Sequence, residues 1–103
     1  MEYLFTYGTL QDLQLQQAIF GHLLLRGKTD FLAGFQRLEN AVYGRYPLVM
    51  QTNNAKHKVK GKVYEVSLLD LQKADAYETS AYQRKKMKLE SGLEAWLYVE
   101  NSD

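Results

Sequence analysis

Tyr3-Leu4-Phe5-Thr6-Tyr7-Gly8-Thr9-Leu10 is the stretch that decides how this chain begins to fold. Its aromatic residues alternate with Leu4 and Thr6, a period-2 pattern that is apolar on both faces and typical of an interior strand. Gly8 lets the backbone turn with a positive φ and approach a ligand without a Cβ in the way. Because loops at strand ends expose N–H groups that hold anions or polarised carbonyls, residues 7–10 are a candidate substrate loop. The same residues also fit an ordinary turn after a strand.

The size and composition indicate one soluble domain. A chain of 103 residues has the length of a single domain, which we expect to span residues 1–103. Apolar residues at 46% and charged residues at 24% are average for soluble proteins. Because there is neither a signal pattern nor an apolar run near the roughly 20 residues of a membrane span, we expect a cytoplasmic protein with no membrane partner. The absence of cysteine excludes disulfides and thiol chemistry.

The charge pattern gives no reason to expect a polyanionic partner, because the net charge is only +1. Lysines in residues 56–62 and 84–88, with tyrosines nearby, are compatible with a basic surface for nucleic acid. They alternate with apolar residues in predicted strands, where outward charges guard against edge pairing, so we expect no nucleic-acid partner. His22 and His57 lie in separate segments without the spacing of metal ligands, so no metal site is predicted.

Helical spacing of apolar residues predicts two helices. The first runs from Asp12 to Leu24, with Asp12 as its N-cap and Gly27 just beyond its end. The second opens with Ser67, which resembles the start of a capping box, and ends near Glu78.

Six strands are predicted, and several glycines mark bends within them. Gly34, Gly44 and Pro47 interrupt β-forming residues and suggest bulges or an edge position, whereas Gly61 suggests a close backbone approach. We therefore expect an α+β fold, with a curled or barrel-like mixed sheet of about six strands and two helices packed outside. The strands are expected at Tyr3–Tyr7, Phe31–Leu38, Ala41–Met50, Lys58–Val66, Tyr82–Leu89 and Leu93–Val99.

Five short motifs occur in an order that resembles the gamma-glutamylcyclotransferase superfamily, and together they span most of the chain. Each motif is common by chance, but their order and spacing are specific. In this sequence they are Tyr7-Gly8-Thr9-Leu10, Gly44-Arg45-Tyr46-Pro47, Gly61-Lys62-Val63-Tyr64, Asp75-x-x-Glu78 and Tyr82-x-Arg84.

The resemblance implies a role for each matched site residue. The family's catalytic glutamate corresponds to Glu78, its substrate loop to Tyr7 through Leu10, and its Tyr-x-Arg to Tyr82 and Arg84. The sequence departs from the commoner pattern at Thr79, where many relatives have glycine. We expect Asp75 to be structural and Arg84 to pair with an acidic side chain.

The implied reaction converts a γ-glutamyl group to 5-oxoproline. The α-amine attacks its own γ-carbonyl, closes a lactam and expels an amine, with Glu78 as general base and then general acid. This intramolecular aminoacyl transfer is of the lyase type. Since the nucleophile belongs to the substrate, no cofactor, metal or covalent enzyme intermediate is expected. A glutamate near pKa ~4.3 is a poor base for an ammonium, so the site is expected to raise it.

Non-catalytic interpretations of these residues and of the whole chain remain open. Glu78 has the position of a solvated residue at a helix end, and Tyr82 is equally interpretable as a pocket residue or an ordinary strand residue. The chain is also compatible with a member that keeps the fold but is inactive or repurposed to bind a small molecule. The identity of the departing amine and the oligomeric state have no signature in the sequence.

Overall fold

A computed structural model of the protein describes residues 1–101, so that Ser102 and Asp103, the end of the predicted domain, lie outside the described residues. Two 3-10 helices, Thr9–Gln11 and Thr79–Ala81, accompany the longer elements. The helices are α1 (Leu13–Phe20) and α2 (Leu68–Glu78), and the strands are β1 (Glu2–Thr6), β2 (Leu25–Ala33), β3 (Phe35–Val42), β4 (Tyr46–Gln51), β5 (Lys58–Val66), β6 (Tyr82–Lys88) and β7 (Glu94–Glu100).

The strands form two sheets. Five of them follow the order β2-β5-β1-β7-β6, while β3 and β4 form a separate antiparallel pair. The larger sheet is mixed because β1 and β7 are parallel and its other neighbours are antiparallel. The α+β prediction is confirmed, with seven strands among residues 1–101 rather than six and with a larger sheet that does not close into a barrel.

The central strand β1 contributes to a core on each face of the sheet. Phe5 packs with β4 and β7 residues such as Val49 and Leu97 on one face. Leu4 packs on the other face in the core that also contains Phe20 of α1 and other residues of both helices. This two-sided burial confirms the interior strand that the alternation predicted.

Three predicted boundaries are wrong, and a glycine marks each. The strand expected over Ala41–Met50 is interrupted by a turn at residues 43–45, in which Gly44 has φ 68°, so residues 41–42 belong to β3 and β4 begins at Tyr46. Helix α1 ends at Phe20 rather than Leu24, because Gly21 adopts φ 78° and its N–H bonds to the Gln17 carbonyl. Gly27, the predicted stop, lies inside β2. The single strand expected over Phe31–Leu38 is divided by Gly34, at φ 81°, into strands of two different sheets.

Other local predictions are confirmed. Asp12 caps α1 by accepting from the Leu15 N–H, and Ser67 forms a capping box with Asp70. Gly61 packs against β1 so closely that a Cβ would overlap the Thr6 carbonyl and lie 2.6 Å from the Phe5 ring. Pro47 lies in the two-stranded sheet, where a missing N–H is tolerated.

Candidate active site

Three parts of the chain enclose a cavity of about 350 Å³ at the end of β1. They are the loop after β1, the turn from β3 into β4, and the C-terminal end of α2 with the start of β6. A cavity of this size is at the small end of the range for small-molecule sites. Its walls are formed by Phe5, Thr6, Tyr7, Gly8, Thr9, Leu10, Tyr43, Arg45, Tyr46, Pro47, Tyr77, Glu78, Thr79, Tyr82 and Tyr98.

All six residues predicted for the site line this cavity. Tyr7 is buried, and its hydroxyl donates to the Tyr98 carbonyl at 2.6 Å. Burial, followed by the nearby Tyr82 and Glu78, raises the pKa of Tyr7, so its hydroxyl remains protonated. The Tyr7 carbonyl accepts a hydrogen bond from the Arg37 guanidinium. Tyr7 thus fixes the wall through one bond from its side chain and one to its backbone.

Gly8 does not adopt the positive φ that the sequence suggested, since its φ is −139°. The backbone at Gly8 does make a close approach, but to another part of the protein and not to a ligand. A Cβ at Gly8 would lie 3.2 Å from Cγ of Pro47, a contact tight enough to displace one of them. The missing side chain therefore lets the β4 end of the cavity close against the loop.

Thr9 and Leu10 join the loop to the two helices. The Thr9 hydroxyl lies 3.0 Å from the Tyr77 hydroxyl at the end of α2. Leu10 is buried in the core on the helix side, and its carbonyl accepts from Nε2 of Gln16 at 2.8 Å. Gln16 is fully buried and also accepts from the Leu24 N–H, so both ends of its amide are used.

The backbone of the loop, which lines the cavity, contains donors without an acceptor among residues 1–101. The 3-10 helix is closed by N–H groups of Gln11 and Asp12, which bond to the carbonyls of Gly8 and Thr9. Within the described part of the chain, the N–H groups of Gly8, Thr9 and Leu10 have no hydrogen-bond acceptor. Such a group of donors is suited to a carboxylate or a developing oxyanion.

Glu78 is the last residue of α2 and the only acidic residue that residues 1–101 contribute to the cavity wall. Its side chain is half-buried, and it makes no hydrogen bond or ion pair with any residue in 1–101. Burial raises the pKa of the Glu78 carboxyl to about 7. A carboxyl group in this state exchanges a proton near neutral pH, as a general acid and base must.

A set of polar contacts next to the cavity holds the end of α2 in place. Arg84 bonds to Asp75 through two nitrogens at 2.9 and 3.1 Å, and its guanidinium lies 4.4 Å from the centre of the Trp96 ring. The Tyr98 hydroxyl also donates to Asp75 at 2.7 Å. The expected structural roles of Asp75 and Arg84 are confirmed. These contacts fix the last turn of α2, from which Glu78 projects.

Tyr82 connects the start of β6 to the turn before β4. Its hydroxyl donates to the Pro47 carbonyl at 2.8 Å, which ties two walls of the cavity together. Burial, and then the nearby Glu78 carboxylate, raises the pKa of Tyr82 to about 12. Tyr82 is thus a cavity residue as well as a strand residue.

Thr79 has a backbone conformation that L-residues rarely adopt. Its φ of 65° and ψ of −171° lie in a region occupied almost only by glycine. This is the position where many relatives of the resembled superfamily have glycine, so the departure noted in the sequence falls on a residue whose backbone is strained. Thr79 follows Glu78 directly and lines the cavity.

The sequence did not predict the wall formed by Tyr43, Arg45, Tyr46 and Pro47, nor the contribution of Tyr98. The signal available in the sequence was the Gly44-Arg45-Tyr46-Pro47 motif. It supported the resemblance but was not assigned to the site. Its proximity to Glu78 depends on a long-range packing of two sheets, which local patterns do not encode.

The fold and the cavity define an α+β protein with a small-molecule-sized pocket built around one half-buried glutamate. A family model described as "Gamma-glutamyl cyclotransferase, AIG2-like" matches residues 4–103. The chain therefore belongs to the AIG2-like gamma-glutamyl cyclotransferase family. No curated protein matched the sequence.

Solved structures share the fold. A solution structure of an Arabidopsis thaliana protein is 25% identical, with a TM-score of 0.77, over 99% of this chain and 71% of that protein. A crystal structure of an AIG2-like protein from Mus musculus is 22% identical, with a TM-score of 0.78, over 100% of this chain and 79% of that protein. An uncharacterised Pyrococcus horikoshii protein is 21% identical, with a TM-score of 0.70, over 100% of this chain and 80% of that protein.

Residues 1–101 contain neither a membrane-spanning helix nor a cluster of metal-ligating side chains. Neither helix has the length and apolar character that a bilayer crossing requires. No group of three or more histidine or acidic side chains is arranged to hold a metal ion in that part of the chain.

Proposed function

We propose that this protein cyclises a γ-glutamyl group to 5-oxoproline and releases an amine, with Glu78 as general base and general acid. The observation that carries the proposal is the Glu78 carboxyl group, half-buried and without a protein partner among residues 1–101, in the same small cavity as the loop Tyr7–Leu10. Membership of the family supports the same chemistry.

Glu78 has to move protons between two nitrogens. The substrate's ammonium loses a proton, and its nitrogen attacks the γ-carbonyl carbon to close a five-membered ring. The bond from that carbon to the departing nitrogen then breaks. An ammonium becomes a lactam N–H and an amide nitrogen leaves as an ammonium, so two protons pass from the attacking to the departing nitrogen. A carboxyl with a pKa of about 7 can accept and return each of them in turn.

The loop has the complementary task of holding negative charge. In this proposal the N–H groups of Gly8, Thr9 and Leu10 bind the α-carboxylate of the γ-glutamyl group or the oxyanion that forms at the γ-carbonyl. Losing one such donor typically costs about 100-fold or more in rate. Tyr82 lines the space between the loop and the β4 wall, where it limits the position of the substrate.

The second candidate function is small-molecule binding without turnover. Thr79 favours it, because a strained threonine stands beside the proposed general base, where many relatives of the resembled superfamily have glycine. In that case γ-glutamyl compounds or 5-oxoproline itself would bind in the cavity and remain unchanged.

A screen of γ-glutamyl compounds with detection of 5-oxoproline separates the two functions. The panel includes γ-glutamyl amino acids, an ε-linked γ-glutamyl-lysine, a γ-glutamyl peptide and a simple γ-glutamyl alkylamine. Catalytic release of 5-oxoproline from at least one compound is expected. Saturable binding, measured by calorimetry, without any release would support the binding function and refute the enzymatic one.

A further inference from the structure

Arg45 is a cavity residue to which the proposed reaction assigns no task. It lies in the turn between β3 and β4, where its N–H bonds to the Val42 carbonyl at 3.1 Å. Arg45 lines the cavity, and its guanidinium carbon lies 5.9 Å from the centre of the Tyr46 ring, within the range of a cation–π contact. The side chain as a whole is exposed, which places it at the mouth of the cavity.

The other three arginines of the chain all pair with a carboxylate. Arg26 bonds to Glu65, Arg37 to Glu39 and Arg84 to Asp75, at 2.8, 2.6 and 2.9 Å. Among residues 1–101, Arg45 has no such partner. A guanidinium is permanently charged and matches the two oxygens of a carboxylate, so an arginine held over an aromatic ring without an acidic partner is available to an anion from solution.

Among the side chains that residues 1–101 place in the cavity wall, Arg45 has no cationic competitor for that anion. Within the described part of the chain, Arg45 is the one basic residue of the wall and Glu78 the one acidic residue. The hydroxyls of Tyr7 and Tyr82 donate to backbone carbonyls, and the Tyr77 hydroxyl is bonded to Thr9. The cavity therefore has one acidic group in its wall and one cationic group at its mouth.

We propose that Arg45 is a specificity-determining residue, which binds a carboxylate on the departing amine of the γ-glutamyl substrate. This inference rests on the proposed function. In the proposed function, Glu78 already binds the ammonium of the γ-glutamyl part, and the loop N–H groups bind its α-carboxylate. The departing portion must leave towards solvent, where Arg45 lies. Substrates whose departing amine carries a carboxylate are accordingly preferred over γ-glutamyl alkylamines.

The test compares γ-glutamyl-L-alanine with γ-glutamylethylamine, which differ only in the carboxylate on the departing amine. The wild-type protein is expected to prefer γ-glutamylalanine by about tenfold in kcat/KM, mainly through a lower KM, as one charge-assisted hydrogen-bonded contact would give. In Arg45→Gln the preference falls to about one. Arg45→Lys retains part of it, because the charge remains while the forked geometry is lost.

The control and the salt dependence exclude a general charge effect. Lys88→Gln removes one positive charge from an exposed position on β6 outside the cavity, and the preference should persist there. Added salt should raise the wild-type KM for γ-glutamylalanine more than that for γ-glutamylethylamine.

The outcomes distinguish this inference from the proposed function. Equal turnover of the two substrates by the wild type, or an unchanged preference in Arg45→Gln, overturns the role of Arg45 and leaves the reaction standing. An equal loss on both substrates in Arg45→Gln also overturns it, because Arg45 would then bind the γ-glutamyl part. Absence of 5-oxoproline from every compound refutes the reaction, and the inference fails with it.

Discussion

At the scale of single residues, the proposed chemistry depends on one carboxyl group and its surroundings. Glu78 lies in a wall formed mainly by apolar and tyrosine side chains, and the desolvation of its charged form raises its pKa to about 7. Asp75, one turn earlier on the same helix, is instead bound by Arg84 and Tyr98. The two acids of the Asp-x-x-Glu motif thus differ in environment, one engaged by the protein and one left for a ligand.

The raised pKa predicts how the rate depends on pH. Because Glu78 must be deprotonated to accept the substrate's proton, kcat/KM should rise with pH and level off above an apparent pKa near 7. Initial rates of 5-oxoproline release, measured between about pH 5 and pH 9, test this. A profile that is already flat at about pH 5.5 would mean that the essential carboxyl has an ordinary pKa, contrary to the burial of Glu78.

At the scale of elements, the end of α2 and the turn before β4 form the two sides of the site. The Tyr82 hydroxyl joins them through the Pro47 carbonyl, and Gly8 permits the loop to contact the ring of Pro47. The width of the cavity therefore depends on how the small sheet of β3 and β4 is seated against the larger one.

The strained end of α2 gives a prediction at the same scale. Thr79→Gly should increase the free energy of unfolding by about 1 kcal/mol, because relief of an unfavourable backbone conformation worth about 1–3 kcal/mol exceeds the entropy that glycine adds to the unfolded chain. Urea denaturation of both proteins measures the difference. Thr79→Ala is the matched control, since alanine keeps the Cβ and should give no comparable gain. A less stable glycine variant would show that the positive φ is not costly here.

At the scale of the whole molecule, most of the fold could be predicted because its signals are local. The alternation around Leu4, the cap at Asp12 and the capping box at Ser67 each act within a few residues. Gly21 and Gly34 were harder to assign, since a glycine that ends an element and one that bends it look alike in sequence until the φ angle is known.

The candidate site could be predicted only in part for a similar reason. The loop after β1 and Glu78 were found through a resemblance in motif order, whereas the wall around Arg45 and Pro47 depends on how two sheets pack. Contacts between Gly8 and Pro47, or between Tyr82 and Pro47, join residues far apart in the chain. No periodicity encodes such pairs.

The buried carboxyl also affects the stability of the molecule. The pKa of Glu78 is about 7 in the folded protein, whereas an unperturbed glutamate has a pKa of 4.5. The folded state therefore binds the proton more strongly than the unfolded state does, and stability falls as pH rises through this window. Glu78→Gln has no such group. We therefore compare the free energy of unfolding of the variant minus that of the wild type. This difference should be larger at pH 8 than at pH 5 by about 2 kcal/mol. Urea denaturation at both pH values measures this, and an equal difference at the two would contradict the burial of a charged Glu78.

The most direct test of the central claim is the release of 5-oxoproline by Glu78→Gln, measured on the best γ-glutamyl substrate of the wild type. The variant is expected to retain its circular dichroism spectrum and cooperative unfolding, while kcat falls by at least about 100-fold because Glu78 is the only carboxyl group that residues 1–101 place in the cavity wall. A folded variant with wild-type kcat would contradict the assignment of Glu78 and, with it, the proposed mechanism.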